Sequence, residues 1–504
     1  MVFSRVQSLD WRLAFCAIAA IDLVSVAACR PSSQPSAQAL TLRIGVQRTV
    51  EAPRVITNIL YTDPLFAIDW HGRPALRLAS DFTWQDEART LQVSIRPGVQ
   101  FHDGTPVTAE AVAEVLRQQE RTGGFQFVTT VETPHEGVVL IHLSRPDAFL
   151  LDAVSGTPIV RVDQPDIGTG PFKLVSRDPA IRAERNGAYF RGAPGIRQVQ
   201  VTSYDTPRMA WVAMMRGEVD MVTDVNRESV EFLRGAKRFD TYPFLRPFYI
   251  PLVFNVRNRI LRNVEVRRAL ADAVDRDEIV RSAMRGHGQV AEDPLWPLNW
   301  AYTPAARHHS FDPGAAAARL DAAGFPISTV GADTMPSRFR IRCLFWNKDP
   351  QYERIALMLQ RQFAAIGVDL ELDPREQRLV EEGITAGDFD TYIYQLASGK
   401  SFDYTYRFWH ADSNGVGAMQ NTGYTGVNDV LDRLRASHAD AEVRVAVADL
   451  RQRFYEDTPA AFIAWVEATR AVNSRFDVGD STDPDMLANL WRWSVATPQQ
   501  RAAR

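Results

Sequence analysis

The sequence predicts an α/β fold, and two stretches carry most of that reading. "YERIALMLQRQFAAIGVDLELDP" (352–374) places Ile355, Met358, Leu359, Phe363 and Ile366 on one helical face, breaks at Gly367, then alternates as a strand through Val368, Leu370 and Leu372. "TLQVSIR" (90–96) sets Leu91, Val93 and Ile95 on one face of a half-buried strand, paired back across "QDEA" to "DFTW". Helix followed by strand, repeated along a chain of 504 residues that is 45% hydrophobic and 23% charged, means sheets covered by helices in two or three domains.

The remaining elements follow in order. Thr108 is placed to N-cap a helix whose apolar positions are Val112, Val115 and Leu116, with Glu110 in the first turn where the helix dipole favours an acid. "NVEVRRALADAVDRDEIVRSAM" (263–284) carries Val266, Ala269, Leu270, Ala273 and Val274 at helical spacing, with Asp277 as a second N-cap. "FDPGAAAARLDAAGF" (311–325) has Asp312 as N-cap, Pro313 at the first helical position and Gly324 past the end.

The amino terminus differs from the rest. Arg5 and Arg12 precede "LAFCAIAAIDLVSVAA", too short to span a bilayer and interrupted by Asp22, which reads as a signal peptide over residues 1–28. It ends in "VAAC", which resembles the bacterial lipobox and makes Cys29 the expected lipidation site. Cleavage after "SAQA" is the alternative. The polar "RPSSQPSAQ" that follows suits a tether over residues 29–39. Of the three cysteines, Cys343 alone lies in the mature chain, within the alternating run "RFRIRCLFW", and reads as a buried thiol.

Several chemistries are excluded by composition and spacing. A net charge of -4 with no basic block gives no electrostatic footprint for nucleic acid. "SGKS" (398–401) lacks the glycine a phosphate loop needs, since Tyr394 stands there. The nine histidines contain no pair spaced for a helical zinc site, and no metal or other cofactor is expected. No G-x-S-x-G elbow is present. "VQFHDGTPVTAEAV" (99–112) brings His102 beside Asp103, but the turn residues around them read as a folding joint rather than a catalytic pair.

From Arg73 to about Arg475 the chain resembles the bacterial extracellular solute-binding proteins of family 5, the peptide/nickel class that feeds ABC importers. "RPALRLASDFTW" and "SIRPGVQFHDGTPVTAEAV" match that family's signature, and "GTGPFKL", "ERNGAYFRGAPGI", "MAWVAMMRGEVDM", "FNVRNRILRNVEVRRALADAVDRDEIV", "IGVDLEL", "AGDFDTYIY" and "YEDTPAAFIAW" follow in the family's order. The resemblance implies a type II periplasmic-binding-protein fold: two hinged lobes with an additional inserted α/β domain. Lobe I would take residues 40–72, 196–283 and 476–504, the inserted domain 73–195, and lobe III 284–475. It also implies a non-catalytic, monomeric receptor, held to the membrane by a lipid anchor, that closes lobes I and III around a short peptide and hands it to the permease. Closure of this kind requires a solute that binds the closed form better. An envelope enzyme or chaperone-like binder on the same scaffold, or a receptor for oligosaccharide or a nickel chelate, are the alternatives.

Candidate ligand-binding residues follow from the matched segments. Glu51, in the loop after the first strand, faces a cationic group or is a solvated loop acid. Trp346 and Asn347 lie at a strand-to-helix junction, Trp296 sits in an aromatic loop with Trp300, and Asn255 leads toward the hinge or caps the turn at "NVRN". The segment 394–415 departs from peptide-binding members by lacking their Asp-Pro. It keeps Asp403 among Gln395, Ser398, Lys400, Ser401, Tyr404, Tyr406, Arg407 and Trp409, so that Asp403 could orient an ammonium group unless Lys400 and Arg407 neutralise it or bind a carboxylate on the ligand instead.

Overall fold

The computed structural model describes residues 40–48, 52–123, 125–225, 227–234, 238–304, 307–328, 337–417, 419–480, 482, 484–497 and 499. The expected signal peptide, tether, Cys29 and Glu51 lie outside the described residues.

Alternating burial builds the sheets. Leu91, Val93 and Ile95 are buried on one face of strand Thr90–Ile95, which pairs antiparallel with Ala79–Gln85. The turn between them is "DEA", where Asp86, Glu87 and Ala88 all take positive φ. Val138–Leu143 and Val128–Glu132 complete a four-stranded sheet, and helix Ala109–Arg121 packs Val112, Val115 and Leu116 onto its core. Thr108 caps that helix, its hydroxyl accepting from the Ala111 N–H at 3.1 Å.

His102 and Asp103 sit at the joint ahead of it. Asp103 accepts from the Thr105 N–H and hydroxyl and from Arg161, and its carboxyl is held down at about 2, first by the Thr105 hydroxyl. His102 Nε2 lies 3.0 Å from the Gly170 carbonyl, and burial lowers its pKa. The pair ties the small sheet to the segment leaving it.

The larger sheet has twelve strands among the described residues. Ten run in the order Val368–Arg375, Phe339–Trp346, Thr391–Ile393, Phe239–Phe254, Ala460–Asn473, Met221–Val222, Thr41–Gln47, Gln198–Tyr204, Ile181–Arg185, Phe172–Ser176, and two lie off this path, Gly288–Val290 on Ala460–Asn473 and Leu396–Ala397 on Phe239–Phe254. The two long central strands are antiparallel, and their register is interrupted between Leu245 and Tyr249. Beyond the break Phe239–Phe254 pairs with Thr391–Ile393, while the far end of Ala460–Asn473 pairs with Met221–Val222. Both strands therefore run through both halves of the sheet, as hinge strands must. Residues 172–185, inside the range expected for the inserted domain, hydrogen-bond into the lobe I half through Gln198–Tyr204.

Helix Pro350–Ala365 buries Ile355, Leu359 and Phe363 on the lobe III half, and Gly367 takes φ +78° where the chain turns into Val368–Arg375. Helix Pro313–Ala322 carries the expected cap, with Asp312 accepting from the Ala315 N–H. The second cap in the stretch 263–284 is Asp275 and not Asp277: helix Val264–Asp272 ends at Ala273, and Asp275 accepts from the Glu278 N–H at 2.8 Å. The break comes two residues earlier than periodicity suggests because Asp275 alone has the extended backbone a cap needs. Cys343 is buried, and burial pushes its thiol up to about 12.

Candidate functional site

In open α/β sheets, solutes bind beyond the carboxyl ends of parallel strands. Phe339–Trp346 and Thr391–Ile393 are such strands in lobe III, with Phe345 opposite Ile393. Their ends bring Trp346 and Tyr394 to Tyr352, whose ring stacks on Tyr394 at 6.1 Å and whose hydroxyl accepts from the Gln395 N–H. The chain then pairs Leu396–Ala397 with Phe248 and Tyr249 of a hinge strand, and the Ser398 N–H donates to the Pro247 carbonyl at 2.9 Å. The Ser398 hydroxyl is buried there with no hydrogen-bond partner among the described residues.

A few residues on, helix Asp403–Trp409 forms one wall of a cavity of about 650 Å³. Asp403, Tyr406, Arg407, His410 and Arg435 come from lobe III, and Phe125, Phe127, Asp147, Phe149 and Leu150 come from the small-sheet domain opposite. Arg407 Nε donates to Asp403 at 2.9 Å, one helical turn apart. Burial nevertheless raises the Asp403 pKa, with Arg407 opposing, so a half-buried carboxyl with an exposed partner faces the cavity. Tyr406 stacks on His410 at 4.4 Å and donates to Asp432. Beneath the cavity wall, Ser401 donates to Asp152, a carboxyl that burial pushes up to about 7 against the lowering effect of that hydrogen bond.

Of the expected site residues, Asp403, Tyr406 and Arg407 meet in this cavity, while Trp346, Gln395 and Ser398 gather at the strand ends with Asn347 exposed beside them. Asn255 and Trp296 work inside the scaffold. Asn255 Nδ2 donates to the Gly387 and Phe389 carbonyls and its Oδ1 accepts from the Arg257 N–H. Trp296 is buried between Trp70 and Trp465 and donates Nε1–H to the Trp70 carbonyl. Only one of the two neighbouring cations neutralises Asp403. Lys400 turns away to Asp485 at 2.9 Å and to the face of Trp70 at 4.2 Å. Arg435, Asp147, Phe127 and Phe149 were not legible in advance, because Asp147 and Arg435 are 288 residues apart and "LDRLRASH" reads as an ordinary helix end. Among the described residues no group of three or more His, Cys, Asp or Glu side chains is placed to hold a metal ion, and no helix is long and apolar enough to cross a membrane.

Two lobes crossed by paired hinge strands, with a pocket walled from both sides of a domain boundary, are the architecture of a solute receptor. The profile of the bacterial extracellular solute-binding proteins, family 5, matches residues 73–418, and the chain belongs to that family, the solute-binding components of ABC importers. It is 24% identical over 493 residues to the oligopeptide-binding protein AppA of Bacillus subtilis, covering 90% of each chain. The structure of that protein with a nonapeptide superposes with a TM-score of 0.72 at 21% identity, covering 91% of this chain and 99% of that one. NikZ from Campylobacter jejuni, in complex with Ni(L-His), gives a TM-score of 0.74 at 21% identity, covering 90% and 99%. At these identities the structures share the fold, and their ligands are their own.

Proposed function

We propose that this receptor captures a short peptide and delivers it unchanged to its ABC permease, acting as a binder and performing no chemistry on the solute. The observation that supports this is the 650 Å³ cavity containing Asp403, which is walled by lobe III and the small-sheet domain, so that the solute expected between lobes I and III would here meet lobe III from the side of the small sheet. That volume suits a small solute, for which pockets run from about 300 to about 1,000 Å³. Asp403 is already paired with Arg407, whose side chain is largely exposed, so a ligand ammonium would take the place of that guanidinium on the carboxylate. Aromatic walls from Phe125, Phe127, Phe149 and Tyr406 accept side chains of varied shape. Trp346, Asn347, Gln395 and Ser398 at the strand ends extend the contact surface toward the hinge. Lobe I is taken as 40–72, 196–283 and 476–504, and lobe III as 284–475. Export by residues 1–28, lipidation at Cys29 and a monomeric state complete the proposal.

Native mass spectrometry of the protein purified from its own envelope tests it. Retained masses of short peptides are expected, and a sugar or a nickel chelate in their place overturns the peptide reading. Loss of the retained peptide on Asp403→Asn, with folding intact, is the expected companion result.

A further inference from the structure

The contact beside the cavity does more than close its floor. Lobe III ends helix Asn428–Ala436 with Arg435, whose Nε and Nη2 donate to the two oxygens of Asp147 at 2.8 and 3.0 Å. The guanidinium lies 4.5 Å from the ring of Phe127, 5.5 Å from Phe149 and 4.9 Å from Tyr406. Asp147 is held ready for it by the Phe149 N–H at 3.1 Å, and the Arg435 carbonyl accepts from the Ala148 N–H at 2.8 Å. The side chains of Arg435 and Asp147 are only 10% and 6% exposed. A planar fork on a carboxylate, boxed by three rings, is how proteins recognise a guanidinium. Here the small-sheet domain supplies the carboxylate and two of the rings, and lobe III supplies the guanidinium and the third.

The two attachments of the small-sheet domain differ in kind. Toward lobe I it is continuous chain, and Gly168 and Gly170 press so closely on the Tyr61–Thr62 backbone that an added Cβ would lie 2.0 and 2.5 Å from it. Toward lobe III it is joined, beside the Ala148–Arg435 backbone bond, by side-chain contacts: Arg435 with Asp147, Ser401 with Asp152, Arg73 in a fork on Asp440 with its guanidinium 3.4 Å from Trp300, and Trp84 against His438. The first attachment is continuous, tightly packed backbone, whereas the second is made of ion pairs, ring contacts and the burial of Phe149 against lobe III.

We propose that the small-sheet domain is the clasp of this receptor: lobe III locks onto it by inserting Arg435 into the Asp147–Phe127–Phe149 box, and the solute cavity exists only while the clasp is shut. Arg435 is then a positioning residue. It sets how long any solute is retained by fixing Tyr406 and the cavity wall, whatever the solute is. The role rests on the cavity being the solute site, but the clasp is measured without reference to the solute's identity.

The test uses the mature chain with Cys29→Ser, purified from its own cells and carrying spin labels at Glu87→Cys on the small-sheet domain and Val445→Cys on lobe III, both exposed positions. Distances are compared for the parent chain, Arg435→Met, Arg435→Lys and Asp147→Asn, with circular dichroism confirming the fold of each. The parent is expected to populate a short, narrow distance. Arg435→Met and Asp147→Asn are expected to lose it, Arg435→Lys to recover it only in part, and the retained solute to leave about 10- to 100-fold faster, since apparent affinity falls with the closed fraction. Asp147→Asn keeps the shape of the box, so it serves if Arg435→Met does not fold. A parent with no short distance, or folded variants that keep the parent's distribution, overturns the clasp. A shut clasp on a chain that retains no peptide overturns the peptide reading alone.

Discussion

Replacing Asp152 by Asn should make the protein more stable at high pH and not at low pH. The carboxyl sits under the lobe III segment that carries Ser401, and burial there is the main cause of its rise from 3.8 to about 7. Asp403 and Asp147 push in the same direction, and Ser401 and Arg407 oppose. A group whose folded pKa is raised favours the folded state below its unfolded pKa, and that advantage drains away as pH climbs to the folded value. The ionisation cost therefore builds between about pH 4 and pH 7 and is constant above. Three units would be roughly 4 kcal/mol, and the part-exposed outer edge of the residue brings the expected figure nearer about 2 kcal/mol. Asn keeps an acceptor for the Ser401 hydroxyl while removing the buried charge. Urea unfolding of parent and Asp152→Asn from pH 4 to pH 8.5 should show curves that meet near pH 4 and separate by about 2 kcal/mol at pH 8. Parallel curves across that range would refute the assignment.

Two further predictions concern the scaffold. His102→Ala should leave retention of the co-purified solute unchanged while lowering the urea midpoint, at a cost of about 1 kcal/mol for the hydrogen bond to the Gly170 carbonyl; a large loss of solute with stability intact would restore His102 as a ligand residue. Asp293→Ala should destabilise by about 3–5 kcal/mol, because Arg451, 2.6 Å from Asp293 and buried, would keep its charge without that partner; a denaturation midpoint within error of the parent would show that Glu292 and Tyr302 suffice.

Much of the fold was legible because its signals are local. The Thr108 and Asp312 caps, the break at Gly367 and the alternation of Leu91, Val93 and Ile95 each depend on residues within a few positions of one another, where helix and strand periodicity act. Asp275 shows the limit of that reading: the acid that capped was the one whose backbone left the helix first, and spacing alone did not distinguish it from Asp277. The candidate site was half legible. Asp403, Tyr406 and Arg407 share one short helix, so their grouping is a matter of helical geometry, and Arg407 pairs with Asp403 for the same reason.

The opposite wall had no such signature. Asp147 and Arg435 meet across 288 residues, and nothing in the spacing of either stretch records the distance between two domains. Local periodicity and capping determined from sequence alone an α/β chain with its helices and strands where they fall, and the ordered matching segments carried the family resemblance. Only the tertiary structure decided which half-buried acid keeps an exposed partner, which cation turns away from it, and that lobe III closes on the small-sheet domain through a guanidinium box, because burial and long-range pairing arise only once the lobes are packed.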